Sequence, residues 1–235
     1  MGAPWRLASS FVDLVMLGER SKLKLRGAGV AILPAALSAE QQQELLADCM
    51  RTIGDPQRAS GVHLGQKLPP SAAWSYESAK SSSSQRPACL DCAAELFHSL
   101  GQHHRLGALF EADSREQSSS LKILPVLGKI GFRNVWARLY SESNALGWHR
   151  DPYHGLSGWV MIINLGSDAT LAWRHGGQGA MVHRAQLTSG DAIFFNGEVL
   201  EHCVESVHDD STCPAFFREA MAGSPFRRVG LQMRA

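Results

Sequence analysis

The spacing of apolar positions changes character once along the chain, near residue 131. Before that point it is helical. After Ser38-Ala39-Glu40-Gln41, a capping-box pattern whose hydroxyl and amide side chains can satisfy the first free amides, Leu45, Leu46, Cys49, Met50 and Ile53 recur on one face. This predicts a helix of about four turns, halted by Gly54-Asp55-Pro56. The apolar run before it, residues 27–34 (GAGVAILP), reads as a short buried strand. Pro87 opens a second helix with Leu90, Ala93, Ala94, Phe97 and Leu100 on its buried side. Between the helices, residues 59–86 lack clear periodicity and end near the serine run at 81–84, which reads as a lid or binding loop. Trp74 and Tyr76 are the two aromatics in this polar stretch.

From residue 131 the period falls to two. Val135, Ala137 and Leu139 alternate with Trp136, Arg138 and Tyr140 across residues 132–140. Further strand candidates lie at 147–151, 158–165, 170–174, 180–187, 191–196, 202–207 and 227–234. So many short strands separated by glycine-rich turns point to a two-sheet sandwich or a jelly roll. Residues 209–225 are largely polar, carry Cys213, and read as an external loop. There is no internal repeat. The division is an N-terminal extension (1–26) and one domain (27–235), with helices and lid at 27–120 and the strand-rich core at 131–235.

With 44% apolar and 19% charged residues among 235, the chain can bury a full core. Lys plus Arg is 23 against 22 for Asp plus Glu, so charge gives no general drive toward polyanions, although a local basic groove is still allowed. No apolar run reaches the length of a membrane span. Five scattered cysteines suit reduced thiols. The N-terminal segment lacks the basic-then-apolar order of a signal peptide, and Asp13 and Glu19 count against a mitochondrial address. The expected compartment is cytoplasm or nucleus, with an organelle left open.

The chemistry-bearing residues lie in the strand-rich half. In His149-Arg150-Asp151, residues i and i+2 of an extended segment share a face, so imidazole and carboxylate can grip one ion. Two ligands are too few; a second histidine from a distant strand would complete a 2-His-1-carboxylate triad on non-haem Fe(II), and His202 is the candidate. Among ten histidines an HxD arises easily by chance. The last strand, Arg228-Val229-Gly230-Leu231-Gln232-Met233-Arg234, adds a second feature. Period two puts Arg228, Gly230, Gln232 and Arg234 on one face, where two guanidinium forks suit a dicarboxylate.

Taken together, Tyr140, LGWHRD, SGDAIFF, His202 and RVGLQMR resemble the AlkB-like family of Fe(II)/2-oxoglutarate-dependent dioxygenases. The likeness is clearest from Asn134 to Arg234, and GVAILPAALSAEQQQELL resembles the family's strand–helix opening. The resemblance implies an α+β fold: a double-stranded β-helix (jelly roll) core flanked by N-terminal helices. It makes His149, Asp151 and His202 the Fe(II) ligands. Arg228, helped by Tyr140, would bind the 2-oxoglutarate side-chain carboxylate, and Arg234 would be a second arginine facing the site. Arg138 and Gly230 stand where the family often has Asn, so those contacts do not carry over.

The implied activity is oxidation of a substrate C–H bond coupled to decarboxylation of 2-oxoglutarate to succinate. On an N-methyl group the product collapses to formaldehyde and the demethylated amine. The expected substrate is an N-methylated base in RNA or single-stranded DNA, stacked by Trp74 or Tyr76, with Tyr153 also at the site and Lys67, Lys80 and Arg86 near phosphates. The acid that DNA-repair members place shortly after HxD is missing, since Pro152, Tyr153, His154 and Gly155 follow Asp151. The rivals are a hydroxylase or demethylase of a protein or small molecule, and a non-catalytic binding module of the same fold. A zinc site from Cys89, Cys92, His103 and His104 is a weaker signal, because the pair lies on a predicted helix with no matching CxxC.

Overall fold

The structure, a computed structural model, describes residues 24–26, 30–53, 73–77, 88–102, 132–142, 145–151 and 158–234; for 24–26, 52–53, 73–77, 97–102 and 210 it describes the backbone alone. Two antiparallel sheets face each other. The larger is built from β1 (Lys24–Arg26), β2 (Val30–Leu33), β3 (Ala73–Glu77), β4 (Asn134–Ser141), β6 (Trp159–Gly166), β9 (Ala192–Asn196) and β11 (Phe226–Arg234), in the order β1-β2-β9-β6-β11-β4-β3. The smaller contains β5 (Leu146–His149), β7 (Ala169–Arg174), β8 (His183–Leu187) and β10 (Glu201–Val207), in the order β5-β10-β7-β8. This is the jelly roll, with helices α1 (Ala39–Ile53) and α2 (Ala88–Gln102) on the outer face of the larger sheet.

Strand periodicity sorts the side chains into two cores. On β11, Val229, Leu231 and Met233 pack outward with Met161, Ile163 and Leu165 of β6 and with Leu45, Leu46, Leu90 and Leu96 of the helices. The alternate positions of β6 and β9, Val160, Ile162, Ile193 and Phe195, meet Leu171, Trp173 and Val204 of the smaller sheet. A strand covered on both faces must be apolar throughout, and every residue of β6 is buried. Asn164 is the one polar side chain in that strand.

Local chemistry sets the helices. Gln41 N donates to Ser38 Oγ at 3.2 Å and Ser38 N donates to Gln41 Oε1 at 2.8 Å, the reciprocal capping box the sequence predicts. Asp48 of α1 accepts from Ala88 N at 2.7 Å, so one helix caps the start of the next. Leu90 and Ala93 are buried on α2 as expected, together with Cys89 and Leu96.

Two expectations are corrected. The lid at 59–86 is not structureless throughout, because Ala73–Glu77 adds an edge strand to β4, Trp74 opposite Ala137 and Tyr76 opposite Val135. Five residues carry too little pattern to declare a strand, and the free edge of β4 supplies the missing hydrogen bonds. Residues 209–225 are likewise not a plain external loop. A single 3-10 turn (Asp210–Thr212) and helix α3 (Ala215–Ala220) bury Cys213, Phe217 and Met221 in the outer core, the Phe217 ring lying where a Gly166 side chain would be. Apolar residues this sparse show their partners only in three dimensions. No helix among the described residues is long and apolar enough to cross a membrane.

Candidate metal centre and co-substrate pocket

β5 and β10 bring the two histidines together by register: His202 pairs directly with His149. Their ring centroids lie 4.3 Å apart. Asp151, two residues past His149, is held by its own backbone, its N–H donating to Gly197 O at 2.9 Å. The nearest ligand atoms of the three residues all lie within 4.8 Å of one another. His149 Nε2 is 4.0 Å from Asp151 Oδ1 and His202 Nε2 is 3.7 Å from Oδ2, too long for hydrogen bonds.

The other ring nitrogen of each histidine is committed. His149 Nδ1 sits 2.8 Å from Gly147 O and His202 Nδ1 sits 3.0 Å from Leu200 O. A carbonyl only accepts, so both Nδ1 atoms carry a hydrogen, which leaves Nε2 as the ligand atom of each ring. Burial, seconded by His149, pushes the His202 pKa down to about 4, with Asp151 opposing, so this imidazole is neutral at pH 7. Two imidazole Nε2 atoms and one carboxylate, converging without a fourth protein ligand among the described residues, form the donor set of a facial triad for Fe(II). Among the described residues this is the group with metal-binding geometry.

The carboxylate is oriented from behind. Gln232 Nε2 donates to Asp151 Oδ2 at 2.9 Å, and Arg234 Nη2 pairs with Oδ1. Gly197 leaves the room: a Cβ there would lie 2.4 Å from Asp151 Oδ2. Neither Gln232 nor Gly197 stands out in the sequence as functional, although Gln232 shares the period-two face of Arg228 and Arg234. Arg234 is thus brought to the metal centre rather than left as a free fork.

Arg228 lies deeper, 1% exposed, directly across from Tyr140 in the β11–β4 register. Its guanidinium carbon is 4.6 Å from the Tyr140 ring centre. Asn164 Oδ1 accepts from Arg228 Nε, while Asn164 Nδ2 donates to Ser167 O at 3.2 Å and Leu187 O at 3.4 Å. The polar residue inside the apolar β6 run therefore aims the arginine. Gly230 lets the guanidinium lie flat on β11, since a Cβ would sit 3.1 Å from Arg228 Nη1. Burial draws the Arg228 pKa below its usual range, with Tyr140 opposing. A buried guanidinium aimed by a neutral amide, with no carboxylate partner among the described residues, is a receptor for an anionic group from outside.

Trp74 and Tyr76 stand on β3 next to β4; Tyr153, Lys67, Lys80, Arg86, His103 and His104 lie outside the described residues. Cys89 and Cys92 are buried core thiols beside Cys49, without a disulfide. A hydrogen bond to Cys89 and burial push the Cys49 thiol up, and burial pushes Cys92 up, the reverse of what a thiolate ligand requires. The zinc alternative gains no support from them.

No curated protein sequence matches the chain. Solved structures do match in fold. "The structure of OsALKBH1" superposes with a TM-score of 0.61 at 15% identity, covering 90% of this chain and 100% of that one. A Pseudomonas putida prolyl-4-hydroxylase superposes with a TM-score of 0.52 at 13% identity, covering 88% and 92%. The family model described as "2OG-Fe(II) oxygenase superfamily" matches residues 29–234, nearly the whole described domain. The chain therefore belongs to the 2OG-Fe(II) oxygenase superfamily, oxidoreductases that use Fe(II) and 2-oxoglutarate.

Proposed function

We propose that this oxygenase oxidatively demethylates N-methylated bases in RNA or single-stranded DNA. In this reading His149, Asp151 and His202 hold Fe(II), and Arg228 with Tyr140 binds the far carboxylate of 2-oxoglutarate. Arg234 and Gln232 orient Asp151. The observation that carries the reading is the last strand: one face of β11 supplies the buried Arg228 opposite Tyr140 and, three alternations on, the Arg234 that pairs with Asp151. That is the pattern by which the sequence resembles the AlkB-like family, and the fold likeness to OsALKBH1 extends over that whole chain.

The bound ion and co-substrate supply the oxidising power. What the protein adds is placement. The Nδ1 hydrogen bonds lock both rings with Nε2 inward, and Gln232 and Arg234 fix both carboxylate oxygens. Asn164 holds Arg228 in a dry pocket where its charge acts at full strength. Tyr153 is the proposed contact for a flipped base; Trp74 and Tyr76 stand opposite Ala137 and Val135, in register with the face of β4 that packs toward the helices, and are not assigned to the base.

The test supplies Fe(II), ascorbate and 2-oxoglutarate to the enzyme with methylated oligonucleotides or methylated peptides. Formaldehyde release and the loss of one methyl mass from the oligonucleotides are the expected result. Turnover of the peptides alone would overturn the nucleic-acid assignment in favour of a protein-directed oxygenase, a second reading favoured by the fold likeness to a prolyl-4-hydroxylase.

A further inference from the structure

The three ligand residues are not held equally. His202 stands on β10, which is flanked by β5 on one side and β7 on the other. Asp151 is fixed by its own backbone and by Gln232 and Arg234 of β11. His149 has less support. It is the last residue of β5, an edge strand of 4 residues that pairs on one side and carries a glycine at its second position. The register of β5 against β10 also shifts, between His202 and Val204. A short, irregular edge strand with a single ladder is the part of a sheet most free to move, so main-chain hydrogen bonds alone fix His149 weakly.

Side chains on the back of the sheet supply what that ladder lacks. Trp173 lies in the core between the sheets and pairs with His202 in register, so period two turns their neighbours Arg174 and Glu201 to the outer face, directly opposite each other. Arg174 Nε donates to Glu201 Oε2 at 2.8 Å. The same guanidinium reaches across β10 and lies 4.3 Å from the ring centre of Trp148, the residue before His149. One side chain thus joins β7, β10 and β5, an interior strand to the edge. The Arg174–Glu201 pair is well covered, with side-chain exposures of 13% and 20%, whereas the Arg184–Glu205 pair that links β8 to β10 is 55% and 29% exposed. A planar cation that is paired, stacked and shielded holds its geometry better than an exposed ion pair does.

We propose that Arg174 is a positioning residue for the metal centre: stacked on Trp148 and paired with Glu201, it straps β5 to the interior of the smaller sheet and sets where His149 Nε2 stands. The inference rests on the reading of His149 as a ligand. Arg174 acts through the backbone that Trp148 and His149 share. Removing it leaves all three ligands in place and frees β5 to shift, so that a bound ion loses the hold of His149.

The experiment titrates the full-length protein with Co(II), a probe whose visible absorption reports the number and arrangement of its ligands. R174M keeps the length of the side chain and removes the guanidinium. W148L removes the ring and W148F keeps one, while R184M removes the exposed pair as a control. Disturbing the support of a metal ligand predicts roughly 10-fold weaker Co(II) binding and a changed spectrum in R174M and W148L, with W148F nearer the wild type and R184M within about 2-fold of it. In the metal-free protein, amide hydrogen exchange across Leu146–His149 quickens in R174M and not in R184M. H149A separates this inference from the reading beneath it. If H149A binds Co(II) as the wild type does, His149 is not a ligand and that reading fails. If H149A loses Co(II) while R174M keeps affinity and spectrum, the strap is refuted and the ligand reading stands. An equal loss in R174M and R184M also refutes the strap, as a general loss of stability. If R174M does not fold, W148L against W148F decides, and equal Co(II) affinity in the two would overturn the proposal.

Discussion

Replacing Gly197 with alanine tests the metal centre without replacing any of its donor atoms. The new Cβ would lie 2.4 Å from Asp151 Oδ2 and 3.1 Å from both Cβ and Cγ of that residue. Normal carbon contacts begin near 3.5 Å, so the carboxylate must retreat by about 1 Å. The backbone cannot yield instead. Gly197 O accepts from Asp151 N and Gly197 N donates to Gly158 O, each at 2.9 Å. Retreat stretches the 2.9 Å bond from Gln232 Nε2 and takes Oδ2 out of reach of an ion shared with His202. Disturbing the support of a metal ligand typically costs 10- to 100-fold in affinity, and the crowding itself costs about 1–3 kcal/mol of stability. Anaerobic Fe(II) titration against a competing chelator measures the first and thermal unfolding of the metal-free protein the second. V199A, at an exposed position in the same turn, is the control. A G197A protein that binds Fe(II) within about 2-fold of wild type would refute the steric argument.

Three further outcomes follow from the same geometry. N164A leaves Arg228 Nε buried and unpaired, so 2-oxoglutarate binding to the metal-loaded protein should weaken roughly 10-fold, whereas Fe(II) binding should not change. Because burial holds the His202 pKa near 4, the unfolded chain binds a proton below about pH 6.5 that the folded chain refuses. Stability of the metal-free protein should be full above pH 6.5 and fall toward pH 4 by on the order of 2–3 kcal/mol, as read by urea unfolding, and H202N should flatten that slope. G166A forces a side chain onto a backbone at φ +94° with its Cβ 2.3 Å from Arg227 O, and should lower Tm by roughly 5–10 °C; an unchanged Tm would show that the β6–β7 turn relaxes freely.

Much of this molecule was legible in one dimension because its signals are local. Period two along 132–140 and 227–234, the Ser38–Gln41 capping box and the pairing of His149 with Asp151 each depend on residues a few positions apart, and each appears as expected. The strand-rich half follows the predicted spans within a few residues, and the alternation on β11 already separates the face that carries Arg228, Gln232 and Arg234 from the face that packs on the helices.

What only tertiary structure decided is the set of contacts between residues far apart in the chain, because their energies depend on sheet register and on the space left between side chains. The edge strand at Ala73–Glu77 exists because β4 offers an unpaired ladder. Phe217 is core rather than loop because Gly166 leaves it a site. Asn164 reads as a flaw in an apolar strand until Arg228 arrives across β11, and Gly197 as an ordinary turn glycine until the Asp151 carboxylate fills the place of its missing side chain. The chain carried the chemistry in its residue types; folding determined which groups meet.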